Sequence, residues 1–558
     1  MFRSAAPLLV GLILAAPLAG QSTGLITFDH YHTLDEIETY LEGIASRYPE
    51  LVTLGVIGQS REGRPIWAVD VNNPMTGLAS EKPGFYVDGN IHGGEVLGGE
   101  GALAFLDRLL AGHEAGVDLR ELVDTRAFYI VPIVNPDGRV ISVDTPENHR
   151  WNVRPVDEDG DGRVDEDPPE DLDGDGRILQ MRIPDPDGGW VVHATDVRRM
   201  TRLRGASTDR PRYRVVGEGI DNDGDGAFNE DRVGGVDLNR NFPANWSAAQ
   251  FASGPFPLSE PETHALVTYI TDRPNIAAVH TFHTSGGLIL RFPTLADQDW
   301  DFPEGDLAAY REIAADGVAI TGYENYAYQK QVIVDLMSPG HGVFNDWASK
   351  EFGVLAITTE MWAHAIGQGQ DALFAWNDDV LDGMGFIGWY DYEHPDLGSV
   401  ELGGWDRWST SSPPDRLIAE EVERNVEWVL TFADKTPQVA IARLEFTRRG
   451  DSTVLSATVS NTGWMATATD HALHELEIAK PVQVRVELEN AEVVTGDAEV
   501  AIGVLPGTRT GPATERTVAW SLRVIDVSAP ATATVVVWSE KAGTVRSTVS
   551  VRGSREPE

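Results

Sequence analysis

Short apolar runs that end in chemically versatile residues constrain this chain more than any other feature. From Val52 to Asn135 the runs VTLGVIG, PIWAVDV, GFYVDG and AFYIVPIVN follow one another, and a helix-like stretch from about Leu97 to Leu110 separates the last two. The pattern resumes in GVDLNRNFP, NIAAVHTFHTSGGLIL and FGVLAITTEMW. Runs this short, alternating with helical periodicity, predict an α/β fold with a mixed central sheet flanked by helices.

The helical signals bracket that sheet. In HTLDEIETYLEGIASRYPEL, Leu34, Ile37, Leu41, Ile44 and Tyr48 fall on one face, Thr33 and Glu36 are spaced as a capping box, and Pro49 stops the helix. Ile418, Val422, Val426 and Val429 mark one side of a last helix at 415–433. A chain of 558 residues is too long for one core, and the texture changes twice. Residues 155–232 have few apolar runs and read as an acidic, loop-rich insertion in a unit spanning 21–434. From Gln438 onward, VAIARLEFT, TVLSATVSNTG, VQVRVELEN, RTVAWSLRVID and ATATVVVWSE alternate with Gly, Pro and Asn turns. They predict an all-β sandwich over 437–558, ending in the loose tail GSREPE.

Residues 1–20 carry one basic residue, an apolar core from Ala5 to Ala16 and then small residues, the pattern of a signal peptide. The run is shorter than a membrane span and is broken by Pro7 and Pro17. No later segment is long and apolar enough to cross a bilayer, so the expected destination is the periplasm or the extracellular medium. An exported chain could use disulfides, yet there is no cysteine, which leaves packing and metals to stabilise it and excludes thiolate chemistry. A formal net charge of -43 argues against nucleic acid as a partner.

The stretch GNIHGGEVLGGEGAL sets His92 and Glu95 three apart with Gly93 and Gly94 between them, a turn that lets both side chains reach one metal ion. Alone, the pair is a weak signal and reads first as a polar strand-to-helix loop with Glu95 and Glu100 in the favourable first helical turn. The wider pattern changes that. His92, His283 and Glu360 each sit at or just past the end of an apolar strand, where open α/β sheets gather functional groups. Two imidazoles and a carboxylate with an open fourth position make a zinc site, and a further carboxylate can serve as general base.

This order of motifs resembles the zinc carboxypeptidases of the M14 (funnelin) family, from about Tyr31 to Phe432 apart from the insertion. The resemblance implies His92, Glu95 and His283 as zinc ligands, His283 being preferred to His280 by its distance from Pro293. The family's NPDG turn matches Asn135 to Gly138, and its D-x-N-R-N motif matches Asp237, Asn239, Arg240 and Asn241. By that match Asn239 and Arg240 bind the substrate's terminal carboxylate, a task suited to a bidentate guanidinium, and Asp237 orients the first ligand histidine. Fifteen residues after Asn135, Arg150 takes the place of the arginine that stabilises the oxyanion, with Arg154 the competing choice. Glu360 lies thirteen residues after Trp347, the spacing of the family's general base.

The chain also departs from the pattern. Ser338 stands at the spacing of a substrate-covering tyrosine, and His341 in the same segment is the candidate to replace its hydrogen bond. The selectivity position falls on Asn345, whose neutral amide leaves side-chain preference open. The leader runs almost directly into the first helix, so an inhibitory pro-domain and activation by cleavage are not expected.

The insertion repeats D-x-D-x-D-G three times, at Asp157, Asp159 and Asp161, at Asp171, Asp173 and Asp175, and at Asp221, Asp223 and Asp225. Alternate Asp residues can turn oxygens toward one centre, as in a calcium loop. The twelfth positions are Pro168, Arg182 and Arg232, so these are not EF-hands, and Asp165, Glu166, Asp167, Glu230 and Asp231 are the candidates to complete a calcium shell. The resemblance implies a zinc hydrolase acting on peptides with a free C-terminus. Zinc amidases of cell-wall peptides or N-acyl amino acids are the alternative within the family, and an inactive binding module the alternative outside it. The β-domain offers no motif to choose between a protein and a carbohydrate contact.

Overall fold

The computed structural model describes residues 22–116, 119–157, 161–205, 208–291, 302–323, 341–365, 369–449 and 452–551. The expected leader, the tail, Asp159, Pro293 and Ser338 lie outside the described residues.

The chain enters α1 (Leu34–Arg47) through the expected capping box: the Thr33 hydroxyl accepts the Glu36 N–H, and the Glu36 carboxylate accepts the Thr33 N–H. Then come β1 (Val52–Gln59), β2 (Pro65–Val71), β3 (Gly84–Gly89), α2 (Val96–Ala115), α3 (Leu119–Thr125), β4 (Ala127–Val131) and α4 (Pro136–Asp144). The β4 strand stops short of the expected Asn135 because Pro132 has no N–H to continue the ladder. The insertion contributes β5 (Gln180–Pro184), β6 (Trp190–Val192), β7 (Met200–Arg202) and β8 (Tyr213–Gly217). After it follow α5 (Pro261–Thr271), β9 (Ile276–Thr284), β10 (Leu288–Arg291), α6 (Glu304–Thr321), α7 (Phe344–Lys350), β11 (Leu355–Met361), α8 (Gln370–Val380), β12 (Phe386–His394), β13 (Gly398–Trp405) and α9 (Ile418–Asp434).

Seven strands build the central sheet in the order β1-β2-β4-β3-β9-β11-β10. Its middle four, β4, β3, β9 and β11, run parallel, while β1, β2 and β10 are antiparallel to their neighbours. Strands β3, β4 and β9 are buried along their whole length, which is why their sequences are almost continuous apolar runs. One face packs Phe85, Phe128, Phe282 and Ile357 against α2, α6 and α9; the other packs Tyr86, Tyr129, Val279 and Ala356 against α5 and α7. The segment GVDLNRNFP is not a strand but a short 3-10 turn at Leu238–Arg240, with Val236 and Leu238 supplying its apolar content to the core.

The insertion holds more order than its sequence suggests. Strands β5 to β8 join β12 and β13 in a six-stranded antiparallel sheet, with a small core of Met181, Ile183, Val400 and Leu402. Each insertion strand has only three to five residues, and one inward side at that length offers too few apolar positions to stand out as a run.

Eight strands follow: β14 (Val439–Arg449), β15 (Ser452–Asn461), β16 (Gln483–Glu489), β17 (Ala491–Thr495), β18 (Glu499–Ala501), β19 (Arg516–Val524), β20 (Ala531–Ser539) and β21 (Gly543–Val551), with α10 (Asp470–His474) between β15 and β16. They form two four-stranded sheets, β14-β15-β19-β17 and β18-β16-β20-β21, around Leu455, Val484, Trp520 and Val535. This sandwich meets the rest of the chain where the parallel strands begin. Lys541 Nζ donates to Ile276 O at 2.9 Å, Thr469 Oγ1 to Gly353 O at 3.0 Å, and Arg546 pairs with Glu81. No helix among the described residues is long and apolar enough to cross a membrane.

Candidate metal centre and active site

At the opposite, carboxyl ends of the parallel strands, β3 runs out into a tight turn. Asn90 adopts a left-handed conformation (φ 56°) and folds its amide back so that Nδ2 donates to His92 O at 2.7 Å and Gly93 O at 3.0 Å. A Cβ on Gly93 would lie 2.4 Å from the Gly138 backbone, so only glycine lets this turn nest against the NPDG turn of α4. Beneath both, the fully buried Arg139 donates to Asn90 Oδ1, to the carbonyls of Val96 and His32, and to Glu100, which also accepts from His32. The turn that presents His92 and Glu95 is therefore braced from below by an ion pair.

The turn carries His92 Nδ1 to 2.7 Å from Glu95 Oε1. From the end of β9, His283 brings its Nδ1 to 2.8 Å from Glu95 Oε2 and 3.2 Å from His92 Nδ1. These donors form a compact, mostly buried cluster able to hold one metal ion. The far nitrogen of His92, Nε2, lies 3.1 Å from Asp237 Oδ1 and 2.8 Å from Arg150 Nη2; with a metal on Nδ1, the ring would carry its proton on Nε2 and donate it to Asp237. Two imidazole nitrogens and a carboxylate converging in this way fit a zinc ion. Burial pushes the Glu95 carboxyl up, but His92 and His283 outweigh it and hold the group well below the usual carboxylate range.

His280, three residues earlier, leaves the opposite face of β9. It is fully buried against Phe282 and Trp428 with Nε2 2.9 Å from Thr359 Oγ1, and burial pushes it down to about 3. Glu360, at the end of β11, pairs in register with His283. Burial and the neighbouring Glu95 push its carboxyl up to about 7 against the opposing pull of His283, Arg150 and Arg240.

Arg150 crosses the mouth of the cluster, donating through Nε to Asp237 Oδ2 at 2.9 Å and through Nη1 to Glu95 Oε1 at 3.0 Å. Arg154 goes elsewhere, to Glu260 Oε1 at 2.9 Å. Asp237 caps the 3-10 turn by accepting Asn239 N–H at 2.9 Å, and the charges of Arg150, His92 and Arg240 outweigh its burial to hold it well below the carboxylate range. Asn239 Oδ1 accepts the Phe344 N–H at 2.8 Å, which ties the turn to α7, and Arg240 Nη1 donates to Asn239 O at 2.7 Å. On α7, Asn345 is buried and donates to Thr358 Oγ1. His341 is not brought to the cluster in the same way: its Nδ1 lies 2.8 Å from Asn245 O, a backbone contact.

The acidic loops share one local geometry. Asp171 and Asp221 each accept backbone N–H groups three and five residues on, and Asp157 accepts the Gly162 N–H. Three acidic groups result: Asp161, Glu166 and Asp223; Asp171, Asp173 and Glu218; and Asp221, Asp223 and Asp225. The first spans two loops, which meet at a bridge between Asp167 and Asp231. Burial and, for each, a neighbouring acid push Glu166, Glu218 and Glu230 up to about 7. Glu218, 1% exposed and accepting from Leu172 and Leu179, is the member that sequence spacing did not find, because it lies over forty residues from its loop.

A sequence model of the zinc carboxypeptidase family matches residues 37–374, and one of a domain of unknown function matches 438–550. Human carboxypeptidase D is 31% identical over 122 residues, which are 22% of this chain and 9% of that protein. Carboxypeptidase O of Bos taurus is 22% identical over 337 residues, 59% of this chain and 69% of the relative. The structure of carboxypeptidase A from Helicoverpa armigera aligns with a TM-score of 0.46 at 17% identity, covering 73% of this chain and 74% of that one. The match thus spans about a tenth of the length of carboxypeptidase D. With more than half of its length matched to the family, the chain belongs to the zinc carboxypeptidases.

Proposed function

We propose that the protein is an exported, zinc-dependent metallocarboxypeptidase that removes the C-terminal residue of peptides. The observation that carries this reading is the convergence of His92, Glu95 and His283 on one point, with Glu360 beside them and Arg150 across the mouth. Zinc held by His92, Glu95 and His283 would supply Lewis acidity toward a peptide carbonyl and toward water. Glu360 takes a proton from the attacking water and hands it to the leaving amine, a task for which a carboxyl raised towards neutrality is matched. Arg150 offers its guanidinium to the oxyanion that develops on the carbonyl. Arg240, with Asn239, binds the terminal carboxylate and so restricts cleavage to the chain end. Asp237 acts through its neighbours, fixing the His92 ring and the Arg150 side chain at once.

In this reading the catalytic unit covers 21–434 after removal of residues 1–20, and the sandwich at 437–558 is a separate domain. The acidic loops bind structural calcium, supported by the three carboxylate groups and by the crowding of Glu166 and Asp231, which a cation would relieve.

The experiment is hydrolysis of short peptides with free or amidated C-termini, with and without a zinc chelator, products being identified by mass. The expected result is loss of single terminal residues from the free acids only, abolished by chelation and restored by zinc. Turnover of cell-wall peptides or N-acyl amino acids alone would move the protein to the amidases of the family. A zinc-loaded protein that turns over none of these substrates would overturn the enzymatic reading.

A further inference from the structure

The seam between the sandwich and the central sheet is not closed. Where β9 and β11 begin, a cavity of about 320 Å³ is lined by Ala277, Val354 and Leu355 from the sheet and by Trp464, Met465 and Ile478 from the C-terminal part of the chain. That is the lower end of the roughly 300–1,000 Å³ of small-molecule sites, room for one small molecule and not for a peptide. Ile478, a large apolar side chain that is 48% exposed, stands at its rim. The cavity is remote from the chemistry above, since the β9 path from Ala277 to His283 covers about 20 Å at the rise of a strand.

Four acids and three cations line it, and only some of them are matched. Lys480 pairs with Glu540, Arg509 holds Glu312 and the Gly305 carbonyl, and Asp306 accepts the Asp470 and His471 N–H groups at 3.0 and 2.8 Å. Three charges are left over. Lys541, carried in by the turn between β20 and β21, donates once, to Ile276 O at 2.9 Å, and rests 4.4 Å from the centre of the Phe352 ring. No carboxylate among the described residues pairs with it, so two of its three donors face the cavity without an anion. Burial pushes this ammonium down to about 8, with Glu540 opposing the fall, which is the cost of a cation lacking its counter-charge. The other two are Glu351 and Asp470, whose carboxylates accept no hydrogen bond or ion pair from the described residues; burial raises Glu351, with Lys350 opposing.

We propose that this cavity binds a free amino acid with an apolar side chain, its carboxylate on Lys541, its ammonium toward Glu351 and Asp470, and its side chain against Trp464, Met465 and Ile478. The charges of the lining select this class. A plain carboxylate would match Lys541 but add a negative charge where acids already outnumber cations, and a plain amine would leave Lys541 unmatched. A molecule that carries both charges on one carbon meets both deficits, and its apolar side chain covers Ile478. A free amino acid is also what the carboxypeptidase reading releases, but the site stands on its own side chains and not on that reading.

The test titrates the zinc-loaded full chain by calorimetry with L-phenylalanine and L-leucine, and with N-acetyl-phenylalanine and phenylalaninamide, which each keep one of the two charges. Lys541→Met, remote from the metal centre, is expected to weaken phenylalanine binding by about tenfold or more and to leave kcat/KM on peptides unchanged. Heat that survives this change belongs to the active centre. In the component that Lys541→Met removes, both one-charge probes should bind at least about tenfold more weakly than phenylalanine. If Lys541→Met does not fold, the double variant Glu351→Gln, Asp470→Asn carries the same comparison. Phenylalanine affinity within about twofold of wild type in the variant, or no heat from either amino acid up to about 20 mM, would overturn the proposal. So would N-acetyl-phenylalanine or phenylalaninamide binding as tightly as phenylalanine in that component, since the cavity would then take a single charge. A chain that hydrolyses no peptide would sink the carboxypeptidase reading and leave this titration intact.

Discussion

Glu360 stands directly across the β9–β11 pair from His283, so the two side chains leave the sheet on one face and at one level. The parallel ladder, rather than a loop, sets their separation. Glu360→Gln keeps the shape and removes the proton acceptor. It is expected to lower kcat by about a hundredfold to ten-thousandfold at unchanged zinc content, measured by steady-state kinetics beside metal analysis.

Arg240 is held by its own turn, through Asn239 O, and its charge reaches both Asp237 and Glu360. Loss of a charge-assisted contact to the substrate's carboxylate costs about 1.5–3 kcal/mol. Arg240→Gln should therefore weaken kcat/KM on free-acid peptides by about tenfold to a hundredfold. The gap between free and amidated substrates should narrow by the same factor, and a gap left intact would remove Arg240 from that role.

Arg139 and Glu100 are both completely buried and paired, with Arg139 also holding Asn90 beneath the His92 turn. Arg139→Met leaves the buried Glu100 with His32 but without its arginine, for which a loss of about 3 kcal/mol is expected in denaturant unfolding. Adding Glu100→Gln should recover part of that loss, since the charge goes with its partner. A single variant as stable as wild type would show that the brace is unimportant.

The acidic loops predict a stability that depends on both pH and cations. Glu166, Glu218 and Glu230 have folded-state values raised to about 7, above those of an unfolded chain. The folded state therefore retains protons that the unfolded state gives up. Below the unfolded value the groups cost nothing, and stability falls as pH rises from about 4.3 to 7. Calcium should raise Tm at pH 8 and do little at pH 5. Glu262, also raised to about 7 by burial but away from the loops, should leave a residual slope that calcium does not remove. Equal Tm with and without calcium at pH 8 would argue against cation binding.

Parts of this molecule were legible in the sequence because their determinants are local or periodic. The capping box at Thr33 and the turn between His92 and Glu95 follow from spacing along one segment. What the sequence hides is the choice of distant partners. Nothing near Arg139 announces Asn90 and Glu100, nothing near Asp171 announces Glu218, and the pairing of β5 with β13 joins segments more than two hundred residues apart. The insertion strands were missed for a related reason, since their apolar side faces a core of only a few residues. His341 stands out in the sequence because it lies in the segment where a substrate-covering tyrosine is expected; its Nδ1 lies 2.8 Å from Asn245 O.

The sandwich grips the beginnings of the parallel strands, and the turn that carries His92 and Glu95 lies at their ends. Were the molecule fastened through its sandwich to a particle, a wall polymer or another protein, the catalytic unit would stand between anchor and mouth, with the mouth turned outward. Such a tethered catalyst would harvest peptides arriving from the surrounding liquid rather than trim the surface that holds it. A bulky attachment to the sandwich's outer side would leave the approach of small peptides open.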